Sequence, residues 1–371
     1  MRIGIPRELK DNEFRVAMTP AGVRELVSAG HVVLVERSAG VGSSITDDQY
    51  ERAGASIVAE ADELWEGSEL VCKVKEPIAE EHHRLRPDLV LFTYLHLAAS
   101  RACTDALLRA RTVGIGYETV QLADGTLPLL APMSEVAGRM APLVGAEHLQ
   151  RPSGGRGVLM SGVPGVRPAR VVVIGAGVSG ANAAAIAVGM HAEVQVLDRD
   201  IAKLRVLDAI YQGRLSTLAS NEHTIEEACL DGDLVIGAVL VPGAKAPHLV
   251  SNALVARMHP GSVLVDISVD QGGCFEGTRP TTHTEPTFVL HGSVFYCVAN
   301  MPGAVPHTST HALTNATLPY TIAIAARGWR AAANADPALA LGVNTVDGAV
   351  TYGPVAEAHG LAAVTLSEAI A

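Results

Sequence analysis

The fold is decided by Val171-Val-Val-Ile-Gly-Ala-Gly-Val-Ser-Gly180 and, a helix later, Val194-Gln-Val-Leu-Asp198. An apolar run leads into glycines spaced G-x-G-x-x-G, then a helical segment, a second apolar run and a terminal aspartate. Each glycine has its own task in a dinucleotide site. Gly175 allows the tight strand-to-helix turn, Gly177 lets a pyrophosphate approach the backbone, and Gly180 lets helix and strand pack closely. The helix N-terminus that follows, with free N–H groups and the positive end of its dipole, suits the phosphates. Asp198 stands where a carboxylate takes both ribose hydroxyls and repels a 2′-phosphate, so the cofactor expected is NAD. Arg199 beside it favours NADP, and Asp198 outweighs it. A lone glycine fingerprint carries little weight; strand, helix, strand and aspartate in order carry much more.

Outward from this unit, the 371 residues are too many for one typical core and predict two domains. The net charge of −11 and the absence of a Lys/Arg cluster exclude a nucleic-acid footprint. Five scattered cysteines without a C-x-x-C pair read as reduced, mostly buried thiols. Met1-Arg-Ile-Gly-Ile-Pro6 runs straight into a strand pattern with no signal-peptide core, and the uncharged run Val171–Met190 is explained by its βαβ glycines rather than by a membrane. A soluble cytoplasmic protein is expected.

The first third alternates strand candidates (Arg2–Ile5, His31–Glu36, Ser56–Val58, Leu70–Lys75, Leu89–Tyr94, Thr112–Tyr117) with helical segments. One of these helices has Thr19 as N-cap, Pro20 at its first position and Gly30 as its stop. A long helix is expected from Ser134 to about Gln150. Further strands are expected at Asp233–Ala238, Ser262–Ile267 and Val294–Val298, with helices at Asn221–Cys229 and Ser251–Met258. Thr308–Arg330 reads as a long helix and the remainder as a helical tail. The fold class expected is α/β with two doubly wound domains. A Rossmann NAD-binding domain over 129–305 interrupts a discontinuous substrate-binding domain made of 1–128 and 306–371.

In open α/β sheets ligands bind beyond the carboxyl ends of strands, so the polar residues there are the candidates. Arg15 follows the first strand, Lys75 ends another and His96 follows a third. An arginine grips a carboxylate with its planar fork, a lysine polarises a carbonyl, and a histidine moves protons near neutral pH. Each also fits a plain structural role. In Val263-Leu-Val-Asp266-Ile-Ser-Val-Asp270, one carboxylate orders the loop and the other steers a water or an amine; periodicity does not decide which. His307 and His311 have a zinc-like spacing but lack the glutamate of H-E-x-x-H, and helix-start placement accounts for them better.

Several motifs in order along the chain resemble the alanine dehydrogenase family. They are Met1–Glu8, Asn12-Glu-Phe-Arg-Val-Ala17, Val74-Lys-Glu-Pro77, Phe92-Thr-Tyr-Leu-His-Leu-Ala98, Ala131-Pro-Met-Ser-Glu-Val-Ala-Gly138 and Ala299-Asn-Met-Pro302. The resemblance implies NAD-dependent interconversion of L-alanine with pyruvate and ammonium in a homohexamer, with no nucleic-acid or membrane partner. It implies that Arg15 and Lys75 bind substrate and that His96 and Asp270 are catalytic. It implies NAD contacts from Ser134, Gly175, Gly177, Val178, Gly180, Asp198, Lys203, Ser220, Val239, Leu240, Ile267, Arg279, Val298, Asn300 and Met301. Some members bind a divalent ion through a Glu and a His one helical turn apart. Here those positions are Ala323 and Arg327, so no metal is expected. The alternatives are a dehydrogenase of another amino acid of the saccharopine or lysine type, a transhydrogenase NAD-binding subunit, and a regulatory protein that binds NAD without turnover. The transhydrogenase reading expects continuation toward membrane segments, which is not seen before Ala371.

Overall fold

Short apolar runs bounded by Gly, Pro or polar residues become the strands of two sheets. The computed structural model describes residues 1–239 and 246–370. Numbered along the chain, the strands begin with β1 (Arg2–Ile5), β2 (Val32–Glu36), β3 (Ser56–Val58), β4 (Leu70–Cys72), β5 (Val90–Thr93) and β6 (Val113–Gly116). Next come β7 (Arg170–Ile174), β8 (Glu193–Asp198), β9 (Ser216–Ala219), β10 (Leu234–Gly237), β11 (Val263–Asp266), β12 (Thr287–Leu290) and β13 (Ser293–Tyr296). The last two are β14 (Val343–Val346) and β15 (Ala349–Val350).

The chain divides into two compact units, one of Met1–Met133 with Gly303–Ala371 and one of Ser134–Pro302. The first carries an eight-stranded sheet in the order β15-β14-β6-β5-β4-β1-β2-β3, parallel except for the antiparallel β14 and β15. The second carries a seven-stranded sheet in the order β12-β13-β11-β10-β7-β8-β9, parallel except for β12. The parallel core of each follows the 3-2-1-4-5-6 order of doubly wound sheets, which reverses direction beside its first strand. The two switch points therefore lie between β1 and β4 and between β7 and β10. Along β7, Val171 and Val173 enter one hydrophobic cluster while Val172 and Ile174 enter another, so both faces of the second sheet are covered.

Local signals hold at several positions. Thr19 caps the helix Pro20–Ser28 through Gly22 N–H, and Gly30 follows in the left-handed region. Most expected strands are shorter by a residue or so at one or both ends. The strand expected to run to Lys75 is assigned only to Cys72, although Lys73 N–H still donates to Phe92 O and Tyr94 N–H to Val74 O. The long helix near the middle is Ala131–His148, and the one expected over Ser251–Met258 is one turn, Asn252–Val255, capped by Ser251. The helix Pro306–Arg327 stops at Gly328 (φ 76°) and a second helix starts at Trp329. The helical tail requires correction: β14 and β15 form a hairpin that extends the first sheet. Its turn is Asp347-Gly348, with φ 49° and 84°, the Asp-Gly pair that a two-residue hairpin demands.

Candidate active site

The loop after β1 passes the switch point of the first sheet and carries three buried charged residues. Arg15 is joined to Glu13 through Nε (2.6 Å) and Nη2, and its Nη1 faces Met133 Sδ at 3.1 Å. Val16 N–H donates to Thr310 Oγ1 at 3.0 Å, which ties the loop to the helix Pro306–Arg327. Glu8 accepts from Val74 N–H at 2.6 Å and Lys75 N–H at 3.4 Å, so the ends of β1 and β4 are laced together. Beneath them Lys73, fully buried, pairs with Glu81 at 2.7 Å and Glu8 at 3.2 Å. One ammonium faces two carboxylates, and burial pushes the Glu8 carboxyl above the ordinary glutamate range.

Lys75, buried, and His96, half-buried, stand at the tips of adjacent parallel strands. Burial pushes the Glu13 carboxyl up, but the charges of Arg15 and Lys75 and the hydrogen bonds from Arg15 outweigh it and hold it low. For Glu76, burial is likewise outweighed by His96, Lys10 and Lys75. The His96 ring stacks on Tyr94, centroids 5.8 Å apart, and the Tyr94 hydroxyl donates to Leu129 O at 2.6 Å. Arg15, on the loop after β1, and Lys75, after β4, both act on the Glu13 carboxylate, and Lys75 and His96, after β4 and β5, both act on that of Glu76. Two cations and an imidazole, oriented by the neighbouring carboxylates of Glu13, Glu76 and Glu118, offer the groups that an anionic substrate bearing a carbonyl or amine needs.

The glycine turn of the second unit has the geometry its spacing predicts. Gly175 has φ 106°, and its N–H donates to Leu197 O at 2.7 Å. A Cβ on Gly180 would lie 1.7 Å from Gly175 O, while one on Gly177 would meet nothing within 4 Å. Gly180 is therefore required by packing, and Gly177 leaves open the space a pyrophosphate needs. Asp198 Oδ2 accepts from Ala176 N–H at 2.6 Å and Oδ1 from Asp200 N–H at 2.8 Å, so the carboxylate expected at the ribose closes the turn. These residues fit an NAD molecule laid across the switch point of the second sheet.

The other expected cofactor residues are spread through this unit. Ser134 lies on the helix Ala131–His148, Val178 opens the helix after the turn, Lys203 is exposed on the helix Ile201–Tyr211, and Ser220 follows β9. Val239 and Ile267 follow β10 and β11; Leu240 lies outside the described residues. The Arg279 guanidinium sits 4.4 Å over the Phe288 ring. Val298 is buried and pairs with Thr281, Asn300 has φ 73° with its carbonyl 3.0 Å from His283 Nε2, and Met301 is buried. Asp270 is exposed on the turn Val269–Gln271. Asp266 orders this loop: Ser268, Cys274 and Phe275 N–H and the Thr278 hydroxyl all donate to it. Of the two carboxylates, Asp266 is the structural one.

Sequence reasoning missed Glu8, Glu13, Lys73, Glu76, Glu81 and Glu118. Glu13 and Arg15 alternate in one short motif, and so do Lys73 and Lys75, a spacing that offered a signal for shared faces. All five cysteines are free and buried, and burial pushes each thiol up to about 12, which removes thiolate chemistry near neutral pH. Among the described residues no group of three or more His, Cys, Asp and Glu is arranged to hold a metal. The His307 and His311 rings lie 4.8 Å apart, both exposed, and Ala323 and Arg327 end the same helix.

Two family models match consecutive parts of the chain. Residues 4–137 match "Alanine dehydrogenase/PNT, N-terminal domain" and residues 141–353 match "Alanine dehydrogenase/PNT, C-terminal domain". The chain belongs to the alanine dehydrogenase/PNT family. Within it, the chain is 64% identical over 350 residues to the alanine dehydrogenase of Mycobacterium tuberculosis, covering 94% of each. It is 55% identical to that of Geobacillus stearothermophilus, covering 97% of each. A solved L-alanine dehydrogenase superposes with a TM-score of 0.93 at 48% identity, covering 97% of this chain and 99% of the other. The transhydrogenase from Sinorhizobium meliloti, at 24% identity and a TM-score of 0.80, shares the fold.

Proposed function

We propose that this family member catalyses NAD-dependent oxidative deamination of L-alanine to pyruvate and ammonium, and the reverse reductive amination. The observation that carries the reading is Arg15, Lys75 and His96 beyond the carboxyl ends of the adjacent strands β1, β4 and β5, in a chain whose second unit has an NAD turn and whose relatives are alanine dehydrogenases. When bound, NAD accepts the hydride from the substrate α-carbon.

Arg15 and Lys75 hold the substrate carboxylate and orient the α-carbon, which makes the transfer effectively intramolecular. The product iminium is attacked by water; His96 takes a proton from that water, passes it to the carbinolamine nitrogen, and takes the carbinolamine hydroxyl proton as the carbon–nitrogen bond breaks and ammonia leaves. Asp270 stabilises the positive charge or positions the water. In the reverse direction Lys75 polarises the pyruvate carbonyl. Ser134, Gly175, Gly177, Val178, Gly180, Asp198, Lys203, Ser220, Val239, Leu240, Ile267, Arg279, Val298, Asn300 and Met301 are assigned to NAD.

A homohexamer in the cytoplasm, working in amino-acid catabolism, completes the reading. The exposed apolar side chains Leu159, Val163 and Val166 on one loop offer surface of the kind subunit contacts bury. Among the described residues no helix is long and apolar enough to cross a membrane.

The test is to incubate the purified chain with NAD and a panel of L-amino acids and to follow nicotinamide reduction. Reduction with L-alanine alone supports the reading. Reduction with lysine or saccharopine points to the other amino-acid dehydrogenases, and NAD binding without turnover to a regulatory protein. Replacing His96 with Ala should lower turnover by about 10²–10⁴-fold and leave NADH binding intact; near-normal turnover would remove His96 from the chemistry. Solution mass reads the assembly.

A further inference from the structure

His96 stands on backbone that residues with a Cβ seldom adopt, φ 46° and ψ 36°. Something must hold it there, and the contacts name Glu118. Its carboxylate accepts from His96 N–H at 2.6 Å and from Leu95 N–H at 3.1 and 3.2 Å. Both N–H groups lie just past the end of β5, where the sheet offers no further carbonyl.

The reach of Glu118 is built into the neighbouring strand. Thr93 on β5 pairs with Gly116 on β6, so the turn Tyr117–Thr119 leaves the sheet beside the turn at His96. Gly116 keeps the intervening space clear: a Cβ there would sit 3.3 Å from Glu118 Oε2 and 3.0 Å from Thr119 Oγ1. On the other side the imidazole lies nearly parallel to the Tyr94 ring, at 11°, and Tyr94 is anchored through Leu129 O. Backbone and ring of His96 are thus constrained by different partners.

We propose that Glu118 is a positioning residue: by gripping two consecutive N–H groups it fixes the left-handed turn that aims the His96 imidazole at the substrate. A misplacement on the order of 1 Å at an acid/base group costs up to about a hundredfold in rate, so a carboxylate that never touches substrate can still govern turnover. The inference rests on the reading of His96 as the proton carrier.

A double-mutant cycle tests it, with kcat, pyruvate KM, NADH Kd and thermal unfolding measured for Glu118→Ala, Glu118→Gln, His96→Ala and the two Glu118 variants in the His96→Ala background. Glu118→Ala is expected to lower kcat at least about tenfold, with pyruvate KM and NADH Kd within about twofold, because the cations that bind substrate are untouched. Glu118→Gln, which keeps one carbonyl acceptor, should recover part of the loss. In the His96→Ala background either replacement should change the residual kcat by less than about twofold. The same fold loss in both backgrounds, or a rise in pyruvate KM matching the fall in kcat, would overturn the proposal. If Glu118→Ala does not fold, Glu118→Gln carries the cycle. Full turnover by His96→Ala alone overturns the role of His96 itself and is read before the cycle is closed.

Discussion

Arg15 and Glu13, two residues apart, form a two-point ion pair whose side chains are 2% and 0% exposed. The guanidinium proposed to hold the substrate carboxylate is thus oriented by a carboxylate of the protein. Breaking a buried pair by neutralising one partner costs about 3–5 kcal/mol. Glu13→Gln should show that loss in urea unfolding at neutral pH, together with a raised pyruvate KM. Burial pushes Glu13 up, but Arg15 and Lys75 hold its folded-state value below the ordinary 4.5. Its contribution is therefore present above 4.5 and lost as pH falls through the folded value, so wild type and variant should converge in acid. A gap that widens in acid would contradict this assignment.

The lysine at the base of the site answers to the opposite end of the pH scale. Lys73 is buried; burial pushes its ammonium down, but Glu8 and Glu81 outweigh that and raise it above 10.5. Its contribution is complete below 10.5 and is lost as pH rises through the folded value. Lys73→Met leaves two buried carboxylates facing each other and should cost about 3–5 kcal/mol at neutral pH. The penalty should shrink in acid as they take up protons. A variant within about 1 kcal/mol of wild type at neutral pH would show that the triad adds little.

Two glycines of one turn should respond in opposite ways. Gly180→Ala would drive a Cβ to 1.7 Å from Gly175 O, so the helix must shift, and both melting temperature and NAD affinity should fall. Gly177 has φ −72° and open space at its Cβ position, so Gly177→Ala should melt like wild type yet bind NAD more than about tenfold weaker. Calorimetry separates the two. Unchanged NAD affinity in Gly177→Ala would move the pyrophosphate elsewhere.

Selectivity between the two nicotinamide cofactors should follow one charge. Asp198→Asn keeps an acceptor for only one of the two turn N–H groups, Ala176 or Asp200, while removing the repulsion toward a 2′-phosphate. NAD affinity should fall by about tenfold, on the order of 1–2 kcal/mol, and the NADP-to-NAD ratio should rise. The measurement is kcat/KM for each cofactor; an unchanged ratio would release Asp198 from the ribose.

Chelation offers a control on the cation expectation. Ala323 has no donor side chain and Arg327 is cationic, so treatment with EDTA should leave turnover unchanged. Loss of activity restored by added magnesium would show that other residues bind a cation.

Much of the fold was legible because its signals are local. The glycine turn and Asp198, the Thr19-Pro20 helix start and the alternation of apolar runs with helices each depend on neighbours along the chain. The hairpin at Asp347-Gly348 carried an equally local signal in its Asp-Gly pair, which the helical reading of the tail overlooked. Glu118 carried none: an isolated glutamate after a strand is indistinguishable from a solvated one. Its role depends on which strand lies beside β5.

By itself the sequence determined two doubly wound sheets and the NAD turn, because strand rhythm and turn chemistry are set by residues a few positions apart. Tertiary structure alone decided which strand tips share a switch point. It also decided that Glu8 meets Val74 across 66 residues, that Lys73 is a core ion paired with Glu8 and Glu81, and that the Glu118 carboxylate accepts from His96 N–H. These follow from strand order and burial, which turn equivalent-looking charges into paired, desolvated ones, and no local pattern encodes strand order.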